Sequence, residues 1–176
     1  MTNSKVDPIQ FLREWTTGWQ EDHCLQLVAL DRNDASGPQV LALHVWQIRS
    51  SDKDLHDRVW QWLHDQNWVR ERNVYFSPNP LDVSIFERGT KWDETQVLEQ
   101  RYLTGDVDCR DLGKKYYNDF EACRDKLKAD GATVVIQTGN GYHPAWKLEA
   151  PVKLLGFEDR KKAKHRNVLQ AMRPYS

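Results

Sequence analysis

The runs "CLQLVALD" and "QVLALHVWQI" stand only seven residues apart, separated by "RNDASGP", and this pairing constrains the fold more than any other feature. Two apolar, β-branched runs joined by a cluster of turn formers read as a β-hairpin. Helical patterns flank it. Upstream, "DPIQFLREWTTGW" offers Asp7 as N-cap, Pro8 at the first helical position, and Ile9, Leu12, Trp15 and Trp19 on one face. Downstream, "SSDKDLHDRVWQWLHDQNW" has Ser51 as cap and Leu55, Val59, Trp62 and Leu63 at helical spacing. "RNVYFSPNPL" reads as a strand stopped by two prolines, and the stretch Asp82 to Asp93, which has no clear period, as a long loop.

The second half repeats the interleaving. An apolar run ends in "RYLTGDVD", then "DLGKKYYNDFEACRDKLKADG" places Leu112, Tyr116, Phe120, Cys123 and Leu127 on one helical face and stops at Gly131. "ATVVIQTGNGYHPAWKLEAPV" reads as strand, glycine turn, strand, and the tail "GFEDRKKAKHRNVLQAMRPYS" as a basic helix. Hairpins among interleaved helices and strands favour an α+β fold with mixed or largely antiparallel sheets and flanking helices over a doubly wound parallel sheet. At 176 residues the chain is expected to form one domain: an N-terminal α/β lobe over 1–80, a second part over 81–155, and a basic C-terminal helix over 156–176.

Composition excludes several classes. No run approaches the roughly 18 apolar residues of a membrane span, and the N-terminus lacks the apolar core of a signal peptide, so a cytoplasmic protein without membrane contact is expected. Cys24, Cys109 and Cys123 are odd in number and far apart, which suggests neither a disulfide framework nor a zinc site. A net charge of −1 gives no overall pull toward nucleic acid, though it permits a local basic groove such as one built on Arg160, Lys161, Lys162, Lys164, His165 and Arg166. There are eight tryptophans, and Trp15, Trp19, Trp60, Trp62 and Trp68 fall in helical stretches, where core packing is the commoner use and base stacking the rarer one.

Two constellations carry chemistry. Side chains two apart on a strand share a face, so Asp106 and Asp108 stand roughly 6–7 Å apart at the backbone. Their mutual repulsion is relieved either by a divalent cation between them or, as a solvated strand end, by water and by Asp108 or Asp111 capping the next helix. In "QTGNGYHPAWKL", Gly139 and Gly141 around Asn140 permit a tight turn whose N–H groups can face an anion, Thr138 adds a hydroxyl, and His143 begins the next strand. The alternative is a structural hairpin with N-G turn chemistry. Neither a dinucleotide fingerprint nor a P-loop fits, since Pro144 replaces the third glycine and no lysine-hydroxyl pair is present.

The order of these motifs resembles the archaeo-eukaryotic primase and primase-polymerase superfamily, with the RepB-like primase domains of plasmids and phages the nearest likeness. There, a strand ending in DxD is followed by a helix, a strand and a Ser/Thr-Gly-x-Gly-x-His motif. The resemblance runs from about Asn73 to Pro151 and implies an RRM-like catalytic core. It implies that Asp106 and Asp108 hold catalytic Mg²⁺ or Mn²⁺, and that Thr138, Gly139, Asn140, Gly141 and His143 contact a nucleoside triphosphate. Asn140 stands where some relatives carry a basic residue, a charge that Arg88 or Lys91 could supply. The family's third metal-binding acid lies on a later strand, and the sole Asp after His143 is Asp159, within "FEDRKKAKHR". The chain is thus either part of a longer primase or a minimal relative. The activity implied is template-dependent nucleotidyl transfer on single-stranded DNA during replication, with a replicative helicase as a further partner. Two other readings stay open: a non-catalytic nucleic-acid-binding replication module and a metal-dependent nuclease.

Overall fold

The computed structural model describes residues 7–31, 37–108, 120–138 and 141–154, with Asp108 described in its backbone alone. These residues form a mixed α+β fold with two small antiparallel sheets, divided into two compact units whose boundary falls between Leu98 and Glu99.

The first unit opens with α1 (Pro8–Trp15), where the Asp7 carboxylate accepts the Ile9 N–H at 2.9 Å and Ile9, Leu12 and Trp15 are buried. The helix stops at Trp15, one turn short of the spacing that includes Trp19: Gly18 takes a left-handed φ of 84°, and the Trp19 N–H bonds to the Thr16 carbonyl at 3.0 Å. Trp19 is nevertheless buried. Strands β1 (Cys24–Leu30) and β2 (Gln39–His44) form the expected antiparallel hairpin, and β3 (Asn73–Phe76) pairs with the other edge of β1, giving the order β2-β1-β3. A connection this short cannot carry the crossover that parallel strands need.

The run expected to continue as strand through Ile48 changes conformation at His44. The Gln47 side chain accepts the His44 N–H at 2.8 Å, which starts the short helix α2 (Val45–Arg49) and buries Val45 and Ile48. Helix α3 (Lys53–His64) follows. Asp52, not Ser51, caps it by accepting the Leu55 N–H at 3.2 Å, and Leu55 and Val59 face the core. Its end widens into a π-helical turn over Asp65–Val69.

The largest departure from expectation in this unit is Asp82–Asp93. It contains a one-turn helix, α4 (Ile85–Arg88), and is packed in place. Cys24, Leu81 and Ile85 form a buried cluster against which Ala42, Trp92 and Val97 pack. Gln26, fully buried in β1, donates to the Thr90 carbonyl at 3.1 Å and accepts the Trp92 N–H at 2.9 Å. A buried amide with both ends engaged costs little, and here it does the work of a strand partner for a segment with no periodicity of its own.

The second unit is built on β7 (Gly141–Lys153). Strands β4 (Glu99–Thr104) and β5 (Val107–Asp108) pair along one side of it and β6 (Val134–Gln137) along the other, all antiparallel. The β4 register against β7 shifts between Gln100 and Tyr102, and from Tyr102 onward β4 and β5 share one register, with Thr104 opposite Ala145 and Val107 opposite Tyr142. The break between them falls opposite Pro144, which accepts the Gly105 N–H at 3.0 Å but has no N–H to return. Helix α5 (Phe120–Ala129) covers one face: Cys123 and Tyr142 are buried together with Phe120, Leu127, Val107 and Val135 around them, and the Tyr142 hydroxyl donates to the Phe120 carbonyl at 2.8 Å. Gly131, at φ 82°, ends the helix in the left-handed conformation that its sequence position suggested.

Candidate functional site

The pairing of β5 with β7 determines where the acidic motif meets the histidine. Val107 stands opposite Tyr142 and Asp108 opposite Gly141, so the same register sets Asp106 opposite His143. The side chains meet, His143 Nε2 lying 3.2 Å from Asp106 Oδ1. Tyr142, next to His143, is held in the core under α5, so strand alternation sends His143 to the opposite face of the sheet. The Asp106 side chain is 81% exposed and that of His143 34% exposed. The carboxylate is thus open to an incoming cation or phosphate-bound ligand, while the imidazole is half-sheltered and fixed at one nitrogen. Exposure on this scale makes the ion pair worth little to stability.

The glycine turn closes the β6–β7 hairpin at the same end. Thr138 N–H donates to the Gly141 carbonyl at 2.8 Å, and Thr138 Oγ1 accepts the Gly141 N–H at 3.0 Å. With its acceptor side occupied in this way, the Thr138 hydroxyl still carries a proton to donate. Gly139 and Asn140 lie outside the described residues, as do Asp159, the basic run from Arg160 to Arg166, and Cys109.

Arg88 and Lys91 belong to the first unit. Arg88 is engaged: its guanidinium lies 2.6 Å from Asp93 Oδ2 and 3.3 Å from Gln96 Oε1. Hydrogen bonding from Thr95, together with Arg88, holds the Asp93 carboxyl below its ordinary value. Lys91 Nζ sits 5.3 Å from the centroid of the Trp92 ring, a cation–π distance. Asp93 and Gln96 were not among the expected functional residues, although "DETQ" has the form of a capping box, and the structure makes one: Gln96 Oε1 accepts the Asp93 N–H at 3.0 Å and Asp93 Oδ1 accepts the Thr95 N–H at 2.8 Å.

Among the described residues, no group of three or more His, Cys, Asp or Glu side chains is arranged to hold a metal ion. Beside His143 the second unit presents the exposed carboxylate of Asp106, with a second acidic residue, Asp108, two positions on in β5. That donor chemistry fits Mg²⁺ or Mn²⁺ of the kind that keeps several waters and is completed by substrate phosphates, rather than a cation enclosed in a protein cage. No helix among the described residues is long and apolar enough to cross a membrane. Comparison with protein-family models, curated proteins and solved structures finds no match for this chain.

Proposed function

We propose that the second unit is the nucleotide-handling core of a primase-polymerase-like nucleotidyltransferase that joins nucleoside triphosphates on a single-stranded DNA template. The observation that carries this reading is the meeting of Asp106 and His143. Asp106 and His143, thirty-seven residues apart in the chain, lie side by side on one face of the four-stranded antiparallel sheet. A structural hairpin would account for the second motif alone, but not for its histidine lying against the first.

In this reading Asp106 and Asp108 hold Mg²⁺ or Mn²⁺, which supplies charge neutralisation for the triphosphate and activation of the attacking hydroxyl. The chain's own groups position the reactants. Asp106 fixes the ring of His143 through Nε2, so the imidazole has a set orientation beside the turn. The Thr138 hydroxyl offers a donor to a phosphate oxygen. Placement and charge of this kind account for most of the catalysis in phosphoryl and nucleotidyl transfer. A replicative helicase is the further partner of this proposal.

The test is incubation of the protein with single-stranded DNA, labelled nucleotides and Mn²⁺. Extension or dinucleotide synthesis is expected, and it should be lost in the Asp106→Ala, Asp108→Ala double variant while circular dichroism stays that of the parent. Binding without synthesis would instead make the chain a non-catalytic replication module, and strand cleavage a nuclease. Synthesis undiminished in the double variant would remove these carboxylates from the site.

A further inference from the structure

Of the five tryptophans expected in helices, Trp15 and Trp19 are buried, but Trp60 and Trp68 are 40% and 66% exposed. With His64 between them they recur every fourth residue, so they lie along one side of α3 and its π-helical extension. His64 is itself 55% exposed at its side chain, and its ring centroid lies 5.9 Å from that of Trp68, at an interplanar angle of 39°. Three rings in line on the solvent side of a helix oppose the usual burial of aromatic residues.

The end of the stripe is held in place by its surroundings. Arg72 N–H donates to the Gln66 carbonyl at 2.9 Å, the Arg72 guanidinium to Gln66 Oε1 at 2.8 Å, and Asn67 Nδ2 to the Arg72 carbonyl at 3.0 Å. These bonds span Glu71, whose φ of 53° lies in the left-handed region that a side chain disfavours. Glu71 follows the cap Arg70, the usual place for a left-handed residue at a helix end, and the bonds across it fix the turn that carries Trp68.

We infer that the Trp60–His64–Trp68 stripe is a stacking surface for the bases of single-stranded nucleic acid. This inference rests on the template-directed reading above and names the surface of the first unit that would take the strand. Two features choose this occupant. The stripe's helical neighbours, Lys53, Asp57, Gln61 and Asn67, are polar and exposed. A groove-binding helix would need aliphatic anchors in those places, whereas base edges need hydrogen-bonding partners beside a ring. Between the rings, Asp65 accepts from Gln61 at 2.8 Å and lies 3.7 Å from His64 Nδ1. The eight steps from Trp60 to Trp68 rise about 12 Å, the length of roughly three to four stacked bases. A second exposed aromatic group, Trp46 and Phe86 stacked about His44, lies outside this helix and serves as a contrast.

The test is fluorescence anisotropy of a labelled oligothymidylate titrated with the full chain in EDTA, without nucleotide. The Trp60→Ala, Trp68→Ala variant should bind more weakly, by about fivefold to over a hundredfold for each ring removed. Trp60→Phe with Trp68→Phe should keep most of the affinity, and Trp46→Ala all of it. Because both tryptophans are exposed, the alanine variant should melt with the parent. Absence of oligothymidylate binding by the parent, or parental affinity in the alanine variant, overturns the inference. So does loss of self-association in sedimentation at unchanged DNA affinity, which would make the stripe a protein interface. The Asp106→Ala, Asp108→Ala variant should bind oligothymidylate like the parent, so failure of synthesis and failure of stacking are read separately.

Discussion

Replacing Gln26 with methionine keeps the length and approximate volume of the side chain while removing both ends of its clamp on the 82–97 segment. The Trp92 N–H and the Thr90 carbonyl each lose their bond to the amide, at 2.9 and 3.1 Å. Two such bonds contribute about 0.5–1.5 kcal/mol each, and a backbone group left without a partner away from water costs about 1–3 kcal/mol. Methionine recovers part of this by burying apolar surface in place of an amide. The expected loss is about 2–3 kcal/mol, equivalent to about 5–10 °C in Tm for a chain of this size. Urea unfolding followed by circular dichroism measures the loss. Amide hydrogen exchange locates it, since Trp92 should lose most of its protection while Val28 in β1 keeps its own relative to the new global stability. Should Trp92 stay as protected as in the parent, with a stability change below about 0.5 kcal/mol, the segment does not depend on Gln26 and the clamp has been misread.

Cys24 should resist alkylation by iodoacetamide in the native protein and react only in denaturant, because burial first, then Asp82 and Asp22, pushes its thiol up to about 12. Mass spectrometry of the peptide carrying Cys24 reads this directly, and rapid native labelling at neutral pH would contradict the burial. The Asp93 carboxyl is lowered in the folded chain, so its contribution to stability is present above its ordinary value of 3.8 and is lost as pH falls through the lower folded value. Asp93→Asn should therefore reduce stability at neutral pH but narrow its gap to the parent in strong acid, whereas a gap constant from neutral to acid pH would assign the effect to something other than charge. Tyr142→Phe, which removes the bond to the Phe120 carbonyl at 2.8 Å, should cost about 1 kcal/mol in urea unfolding and leave the β-sheet dichroism unchanged. No measurable loss would mean that the hydroxyl is equally well served by water.

Local chemistry was enough for the parts of the fold whose signals are local. Asp7 before Pro8 and Gly131 after α5 each act on a few neighbouring residues, and the structure uses both where they stand, while β1 and β2 pair as the hairpin signal implied. The antiparallel α+β class followed from the same short-range features. Where the pattern was ambiguous, long-range packing chose. The run after His44 is as apolar as a strand, yet Val45 N–H bonds to the His23 carbonyl at 2.9 Å and Gln47 caps the turn, so a helix forms there. The 82–93 stretch has no period because its order comes from Gln26, more than fifty residues away, and no periodicity can encode a partner at that distance.

The candidate site divides in the same way. The residue types and their order, Asp106-Val-Asp108 and then Thr138 to His143, stand in the primary structure, and with them the chemistry that they permit. That Asp106 lies against His143 is a matter of strand register, and a shift by one residue would turn the pair to opposite faces. The tryptophans make the point most sharply: Trp15, Trp60 and Trp68 all recur at helical spacing, but only the packing around α1 and α3 decided that the first is core and the other two face solvent. Spacing fixes which residues share a side of a helix, and only the tertiary structure determines what that side meets.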